Sequence, residues 1–192
     1  MKLATNPVAA QVSQYLMKAA LPLGLFFIVE YMIGVAAAHS TTVAMLRVPL
    51  MVVTPIALFV ALRNLRDRIL SGMIGGFQAW VYGVQLMLFA ALIEAAFIYV
   101  YNEFIVPDNL YATQQAALAQ IESVLTQTEE MPNPSARITS MVNLLREAMQ
   151  QMADAPVATP IQAAINQVSS DLFIAMFLML FIAPAVKRKM PK

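Results

Sequence analysis

The chain has 192 residues, of which 60% are hydrophobic and 12% are charged, and its formal net charge is +1. Soluble domains contain about 45–50% apolar and about 25% charged residues, so this composition is that of a membrane protein. The nearly neutral charge gives no indication of nucleic-acid binding. The chain contains no cysteine and one histidine, His39, which excludes disulfides, cysteine metal sites and most zinc sites. We expect neither a cofactor nor a metal.

The first apolar region follows a short amphipathic segment. That segment, residues 6–16, begins with Asn6-Pro7, a pair typical of a helix start, and it either lies on the membrane or continues into the first span. The first span is predicted over residues 19–38. Its small residues 36–38 slightly resemble a signal-peptide cleavage site, but the long N-terminal region and Glu30 within the apolar run favour an uncleaved helix.

Three further spans are predicted along the chain. The second covers residues 44–62, where Pro49 and Pro55 predict a kink. The third covers residues 73–106, which is more than the roughly 20 residues that a bilayer requires, so it is expected to tilt or to project beyond the lipid. The fourth covers residues 160–186 and stops at a basic tail.

Residues 107–158 have a different composition from the spans, rich in Gln, Glu, Ala and Pro. Apolar residues recur there at helical spacing on both sides of a turn at 131–134, which predicts an antiparallel helical hairpin outside the membrane. The predicted fold is therefore all-α, a polytopic membrane protein with four transmembrane helices and an extramembrane helical hairpin between helices three and four. Its parts are residues 1–106 (lead-in and three spans), 107–158 (hairpin) and 159–192 (last span and basic tail).

Basic residues are concentrated on one side of the predicted spans. They lie at the N-terminus, in the connection between spans two and three, and at the C-terminus: Lys2, Lys18, Arg63, Arg66, Arg68, Lys187, Arg188, Lys189 and Lys192. By the positive-inside rule this side is cytoplasmic, so both termini are predicted inside and the acidic hairpin outside. Arg63, Arg66 and Arg68 are also candidates for contact with anionic lipid headgroups.

Each predicted span carries one ionisable residue in or near its apolar part, and we call Glu30, Arg47, Glu94 and Asp171 the intramembrane polar cluster. A charge in hydrocarbon is costly unless it is paired or hydrated. The three acids share helix faces with small residues, which line close contacts between membrane helices, so all three are predicted to face the bundle interior. Arg47 satisfies one or two carboxylates, which leaves at least one acid protonated or hydrated.

Three interpretations of this cluster are open. It is a structural cluster that fixes the packing of the helices, or a proton or cation path or lipid-headgroup pocket, or a subunit interface at which a partner supplies the missing bases. A dry, closed bundle with an exposed apolar helix face would indicate an accessory subunit. A water-filled cavity that reaches the acids would indicate a transporter or lipid-binding protein. The chain has no phosphate-binding glycine loop and no nucleophile–base pair, so no enzyme and no catalytic residue are predicted.

Several short motifs resemble those of a bacterial family. They are Arg63-Asn-Leu-Arg66-Asp67, Ile74-Gly75-Gly76-Phe77, Ile105-Val106-Pro107-Asp108, and the last helix from Thr159-Pro160 to Lys187-Arg188-Lys189. In these the chain resembles, over nearly its whole length, the four-span integral membrane family called domain of unknown function 4199. The resemblance implies a bacterial inner-membrane protein with a helical insert before the last span, so residues 107–158 would be periplasmic. It supplies no activity, although members are often encoded beside a polyprenyl-phosphate glycosyltransferase.

We therefore expect a non-enzymatic accessory or interaction subunit of the inner membrane, in envelope or lipid-linked glycan biogenesis, whose hairpin presents the contact surface. The alternative is a small oligomeric transporter or lipid-binding protein that uses the intramembrane polar cluster, since four spans are few for a monomeric transporter. The expected partners are membrane lipid and either another membrane protein or a second copy of the chain, and no nucleic acid.

Overall fold

The computed structural model of the protein describes residues 7–37, 40–129 and 136–187, apart from the side chains at 41, 42, 44, 47, 48, 129, 136 and 137. Nearly all of these residues are helical, as the sequence predicts. The helices are α1 (Pro7–Ala37), α2 (Thr41–Arg68), α3 (Gly76–Val100), α4 (Asn109–Glu129), α5 (Ala136–Asp154) and α6 (Pro160–Val186), and a π-helical segment, Tyr101–Ile105, continues α3.

Four segments are long and apolar enough to cross a membrane, which confirms the predicted four-span, multi-pass architecture. They are Pro7–Ala37, Pro49–Arg68, Gly76–Ile105 and Pro160–Val186. The amphipathic lead-in is continuous with the first span, because a single helix begins at Pro7. The fourth span begins and ends where predicted, since Thr159 caps α6: its Oγ1 accepts a hydrogen bond from the Gln162 backbone N–H at 3.3 Å.

The second span ends later than the sequence predicts. Helix α2 continues to Arg68, so Arg63, Arg66 and Arg68 lie on its last turns and not in a connecting loop. Arginine is a good helix former, and a positive charge is favourable near a helix C-terminus, so the helix continues beyond its apolar part. The chain then turns at Ser71 and Gly72, both with positive φ, a conformation that glycine adopts without strain.

Helix α3 is the central helix of the bundle, since it packs most extensively against α6 and α1, while α2 packs mainly against α1 and less against α6. The close approaches occur at glycines. A Cβ at position 24 would meet Ile93 Cβ at 2.9 Å and the Ala90 carbonyl oxygen at 3.0 Å, and a Cβ at position 83 would clash with the side chain of Met179. Small residues at such positions let membrane helices approach each other closely.

The bundle has two ends that the following sections distinguish. At the hairpin end, where α3 ends and α6 begins, the Asn102 side chain donates a hydrogen bond to the Tyr31 hydroxyl of α1 at 2.9 Å. At the opposite end, Arg66 of α2 donates from Nη1 to the Val186 carbonyl oxygen of α6 at 2.9 Å. These two contacts join the π-helical segment to α1 at one end and α2 to α6 at the other.

Helices α4 and α5 pack against each other as the predicted hairpin. The Gln114 side chain of α4 donates to the Met152 carbonyl oxygen at 2.8 Å and to the Ala155 carbonyl oxygen at 3.2 Å, which ties the start of α4 to the end of α5. The predicted turn at 131–134 lies outside the described residues.

Candidate functional site

A cavity of about 590 Å³ lies in the half of the bundle next to the hairpin end. Residues of all four spans and of the start of α4 line it. Its polar lining consists of Glu30 and Tyr31 from α1, Thr54 from α2, Glu94 from α3, Asn109 and Thr113 from α4, and Gln167, Ser170 and Asp171 from α6. The volume is within the range of about 300–1,000 Å³ that is usual for small-molecule sites.

Two buried carboxyl groups belong to the polar lining of this cavity. Glu94 is 2% exposed and Asp171 is 9% exposed, and their carboxyls lie within hydrogen-bonding reach of each other. We call them the carboxyl pair. Two ionised carboxylates are both acceptors and repel each other, so this contact is favourable when a proton on one of them supplies the donor.

The Gln167 amide is the neutral partner of the carboxyl pair, since its Nε2 donates to Asp171 Oδ1 at 3.2 Å. Gln167 lies one turn before Asp171 on α6, so the two side chains are neighbours. One oxygen of each carboxyl, Glu94 Oε2 and Asp171 Oδ2, is buried and accepts no hydrogen bond from the described residues. A buried acceptor without a donor is unfavourable, and a proton held by one carboxyl of the pair can supply such a donor.

Glu30 is the third acid of the cavity and is half-buried on α1. It lies near enough to Glu94 for their charges to interact. In the described part of the chain, no group of three His, Asp or Glu is arranged to hold a metal ion. The three carboxyls therefore do not converge on one point. The structure thus brings Glu30, Glu94 and Asp171 to one cavity. Arg47 is on α2, but its side chain lies outside the described residues.

The comparisons with known proteins agree with the resemblance noted from the motifs. The family model described as "Protein of unknown function (DUF4199)" matches residues 18–188, which is most of the chain. The protein belongs to the DUF4199 family. No curated protein and no solved structure matches the chain. Family membership accordingly supplies no activity, and the function of this DUF4199 protein has to be argued from its cavity.

A hydrogen-bonded network lies at the hairpin end of the cavity, and sequence reasoning missed it. Asn102 Nδ2 donates to the Tyr31 hydroxyl at 2.9 Å and to the Ile98 carbonyl oxygen at 2.7 Å. Asn109 Nδ2 donates to Asn102 Oδ1 at 2.8 Å and to the same hydroxyl at 3.2 Å. Both asparagines are almost fully buried. The network therefore links α1, the π segment and the first turn of α4.

The π-helical segment accounts for the position of Asn102. Its i→i+5 pattern includes the bond from the Val106 N–H to the Tyr101 carbonyl oxygen at 2.8 Å. Such segments rotate the following side chains relative to an α-helix and are frequent at functional sites. The available sequence signal was the pair of asparagines seven residues apart, Asn102 and Asn109, at the end of an apolar span.

The three arginines proposed as lipid-headgroup contacts have different surroundings. Arg66 is 8% exposed, and besides its bond to the Val186 carbonyl it donates to both carboxylate oxygens of Asp67, from Nε at 2.7 Å and from Nη2 at 3.1 Å. The Arg66 guanidinium donates to a carbonyl that has no hydrogen-bond partner within α6. This group therefore makes its contacts inside the protein. Arg63 and Arg68 are exposed and remain candidates for headgroup contact.

The described polar lining of the cavity consists of acidic residues and of neutral hydroxyl and amide residues. Of the residues that line the cavity and whose side chains the structure describes, none is Lys or Arg. The polar lining offers carboxyl, hydroxyl and amide groups, and the apolar lining includes Met51, Ile174 and Leu178. The carboxyl groups of this lining accept hydrogen bonds, and its apolar residues can contact an apolar body.

Proposed function

We propose that this protein binds a ligand bearing a positively charged, hydrogen-bond-donating group in the cavity, as a lipid-binding protein or as one subunit of an oligomeric transporter. The observation that carries the proposal is the carboxyl pair: the buried acids Glu94 and Asp171 line, together with Glu30, one cavity large enough for a ligand. The sequence left two functions open. A cavity that reaches all three acids favours ligand binding over the role of a closed accessory subunit.

We place the protein in the bacterial inner membrane, with both termini cytoplasmic and the hairpin periplasmic. The exposed Arg63 and Arg68 at the opposite end of the bundle support this orientation by the positive-inside rule. The cavity would then lie in the outer half of the membrane. We propose binding without catalysis, because binding requires only the carboxyl and amide groups of the cavity. An ionisable residue inside a membrane span is a functional-site hypothesis by default.

The test is binding of ethanolamine, a small primary amine, to the protein in detergent. The expected result is saturable binding by calorimetry and an increase in melting temperature. The double variant Glu94→Gln/Asp171→Asn keeps the shape of both side chains and removes their charge, so it should lose the binding. Glu122→Gln, which removes an exposed carboxyl of the hairpin, is the matched control and should bind normally. Equal binding by both variants would show that the cavity is not the site.

A second candidate function is supported by the surface of α5. Met141, Leu144 and Met152 are exposed on this helix of the hairpin, although apolar residues outside the lipid are usually covered. They would present the contact surface of the accessory role, towards another membrane protein in envelope or lipid-linked glycan biogenesis. The charge variant Leu144→Glu should abolish co-purification of a partner while leaving ethanolamine binding intact, and Glu147→Gln is the control. An unchanged set of co-purifying proteins would exclude this role for the surface.

A further inference from the structure

We infer that a groove between the start of α3 and the end of α6 binds an anionic phospholipid, with an acyl chain along its apolar walls and the phosphate beside Lys187. The groove lies at the opposite end of the bundle from the cavity and shares no lining residue with it. Its occupant is therefore separate from the ligand of the proposed function.

The groove has a volume of about 500 Å³ and apolar walls. One wall is formed by the Phe77 and Trp80 rings of α3, which lie within 11° of parallel with their centroids 6.3 Å apart. Leu180 of α6 contributes to the other wall, and two of the lining residues, Gly76 and Ala183, are small, which leaves room beside these walls. Phe77 is 78% exposed and Leu180 is 61% exposed, so the groove is open to the surroundings of the bundle.

The groove crosses the boundary between hydrocarbon and headgroups. The fourth membrane-spanning segment ends at Val186 and the third begins at Gly76, so Lys187 lies at the level of the headgroups. Leu180 lies about 10 Å deeper, at 1.5 Å per residue along α6. Tryptophan, here Trp80, is enriched near this boundary. A phospholipid has an apolar and a charged part at the same two depths, which fits the groove.

Lys187 supplies the charged end of the groove. Its side chain runs across the first residue of α3, because its Cδ lies 3.6 Å from where a Cβ at position 76 would stand. Among the described residues that line the groove, none is acidic. The last turns of α2 and the end of α6 carry one described acid, Asp67, and four described bases: Arg63, Arg66, Arg68 and Lys187.

This excess of bases selects the headgroup. A positively charged surface attracts lipids with a net negative charge. The headgroup of phosphatidylcholine carries a positive group besides its phosphate, and that group is repelled by the same bases. Phosphatidylglycerol has the phosphate without the positive group. The groove should therefore prefer phosphatidylglycerol to phosphatidylcholine.

The groove can be observed directly, because Trp80 is the single tryptophan of the chain and lines it. The full chain is reconstituted in vesicles with equal amounts of phosphatidylglycerol and phosphatidylcholine, one of which carries bromine on its acyl chains. Bromine quenches the fluorescence of a tryptophan that it contacts. We expect quenching that corresponds to about fivefold enrichment of phosphatidylglycerol at Trp80, the attraction expected of one lysine. Equal quenching by the two brominated lipids would overturn the inference.

Matched variants separate binding at Lys187 from attraction to the whole end of the bundle. Lys187→Gln should abolish the preference, and Lys187→Arg should keep it. Arg68→Gln removes an exposed base that does not line the groove and should also keep it. Equal losses in Lys187→Gln and Arg68→Gln would overturn the inference. So would a Trp80 that neither lipid quenches, because protein would then cover the groove, either a second copy or the last residues of the same chain.

Retention in detergent tests whether the groove holds the acyl chain. Phe77→Ala removes part of one wall, and the control Phe181→Ala removes another exposed ring that does not line the groove. Native mass spectrometry should find phosphatidylglycerol retained by the wild-type chain and by Phe181→Ala, and lost from Phe77→Ala. Equal retention by all three would overturn the acyl-chain contact. Ethanolamine binding should be unchanged in these variants, so failure of the lipid inference leaves the proposed function standing.

Discussion

Glu94 and Asp171 show how two residues determine what a cavity binds. Each alone would be a buried acid in a membrane helix, a costly group that usually has a function. Because their carboxyls are in reach of each other, one proton between them removes the repulsion and supplies a hydrogen bond. Any cationic ligand must replace that proton. Ligand and proton therefore compete for the same oxygens.

This competition predicts a pH dependence of ethanolamine binding. The affinity should fall as the pH falls, by at most about tenfold per unit, because binding of one ammonium releases one proton. Glu30 and Tyr31 of α1 also face the pair, and Gln167 is its neutral neighbour. Calorimetry in buffers of different ionisation enthalpy measures the released proton.

The control for this prediction is Glu122→Gln, which should follow the wild-type pH profile because Glu122 is exposed on the hairpin. A flat profile for the wild-type protein would mean that the pair is ionised when the ligand arrives, and would contradict the shared proton.

At the scale of helices, the bundle depends on two close approaches that differ in what a methyl group would meet. Position 24 is packed against the backbone carbonyl of Ala90 and the Cβ of Ile93, which cannot move without the helix, whereas position 83 faces the flexible end of Met179. Alanine adds the same methyl group at both positions, so the comparison tests how far the neighbouring atoms can move.

We predict that Gly24→Ala is more destabilising than Gly83→Ala. At Gly24 the overpacking should cost about 1–3 kcal/mol, against a gain of about 1 kcal/mol in helix propensity. At Gly83 the Met179 side chain can rotate away, so the net change should be within about 1 kcal/mol of zero. Unfolding of both variants by increasing SDS in mixed micelles measures the difference. The reverse order would show that α1 and α3 can separate more easily than α3 and α6.

The tie between α2 and α6 gives a second prediction at this scale. Removing the Arg66 guanidinium leaves the Val186 carbonyl without its donor, so Arg66→Gln should lower the free energy of unfolding by about 1–3 kcal/mol. The matched variant Arg68→Gln removes an exposed charge on the same helix turn and should change it by less than about 0.5 kcal/mol. The same SDS titration measures both. Equal effects would mean that Arg66 acts only as surface charge.

Local signals in the sequence predicted the elements better than the contacts between them. The start of α6 was predictable because Thr159 and Pro160 define a helix cap within three residues. The end of α2 was not, because hydropathy marks where the apolar part stops while helical hydrogen bonds continue to Arg68. The acids of the cavity were found because small residues repeat on their helix faces. The Tyr31–Asn102 bond was missed because it requires the α1–α3 pairing and the π segment together.

At the scale of the whole molecule, the cavity and the hairpin lie at the same end of the bundle. Asn109 and Thr113 of α4 line the cavity, and the network through Asn102 connects α4 with α1. A movement of the hairpin would therefore displace residues that line the cavity. The side of the membrane on which the hairpin lies decides which lipid leaflet and which aqueous compartment the site can reach.

Orientation is the last prediction, and the chain suits its test because it contains no cysteine. Single cysteines are introduced as Ser123→Cys in α4 and Ser71→Cys in the turn between α2 and α3, both at exposed positions. With the hairpin outside, a membrane-impermeant maleimide should label Ser123→Cys in intact spheroplasts, and should label Ser71→Cys only after the membrane is permeabilised. The turn has the exposed Arg63 and Arg68 beside it, which by the positive-inside rule favour the cytoplasmic side. The opposite labelling pattern would place the cavity in the inner half of the membrane.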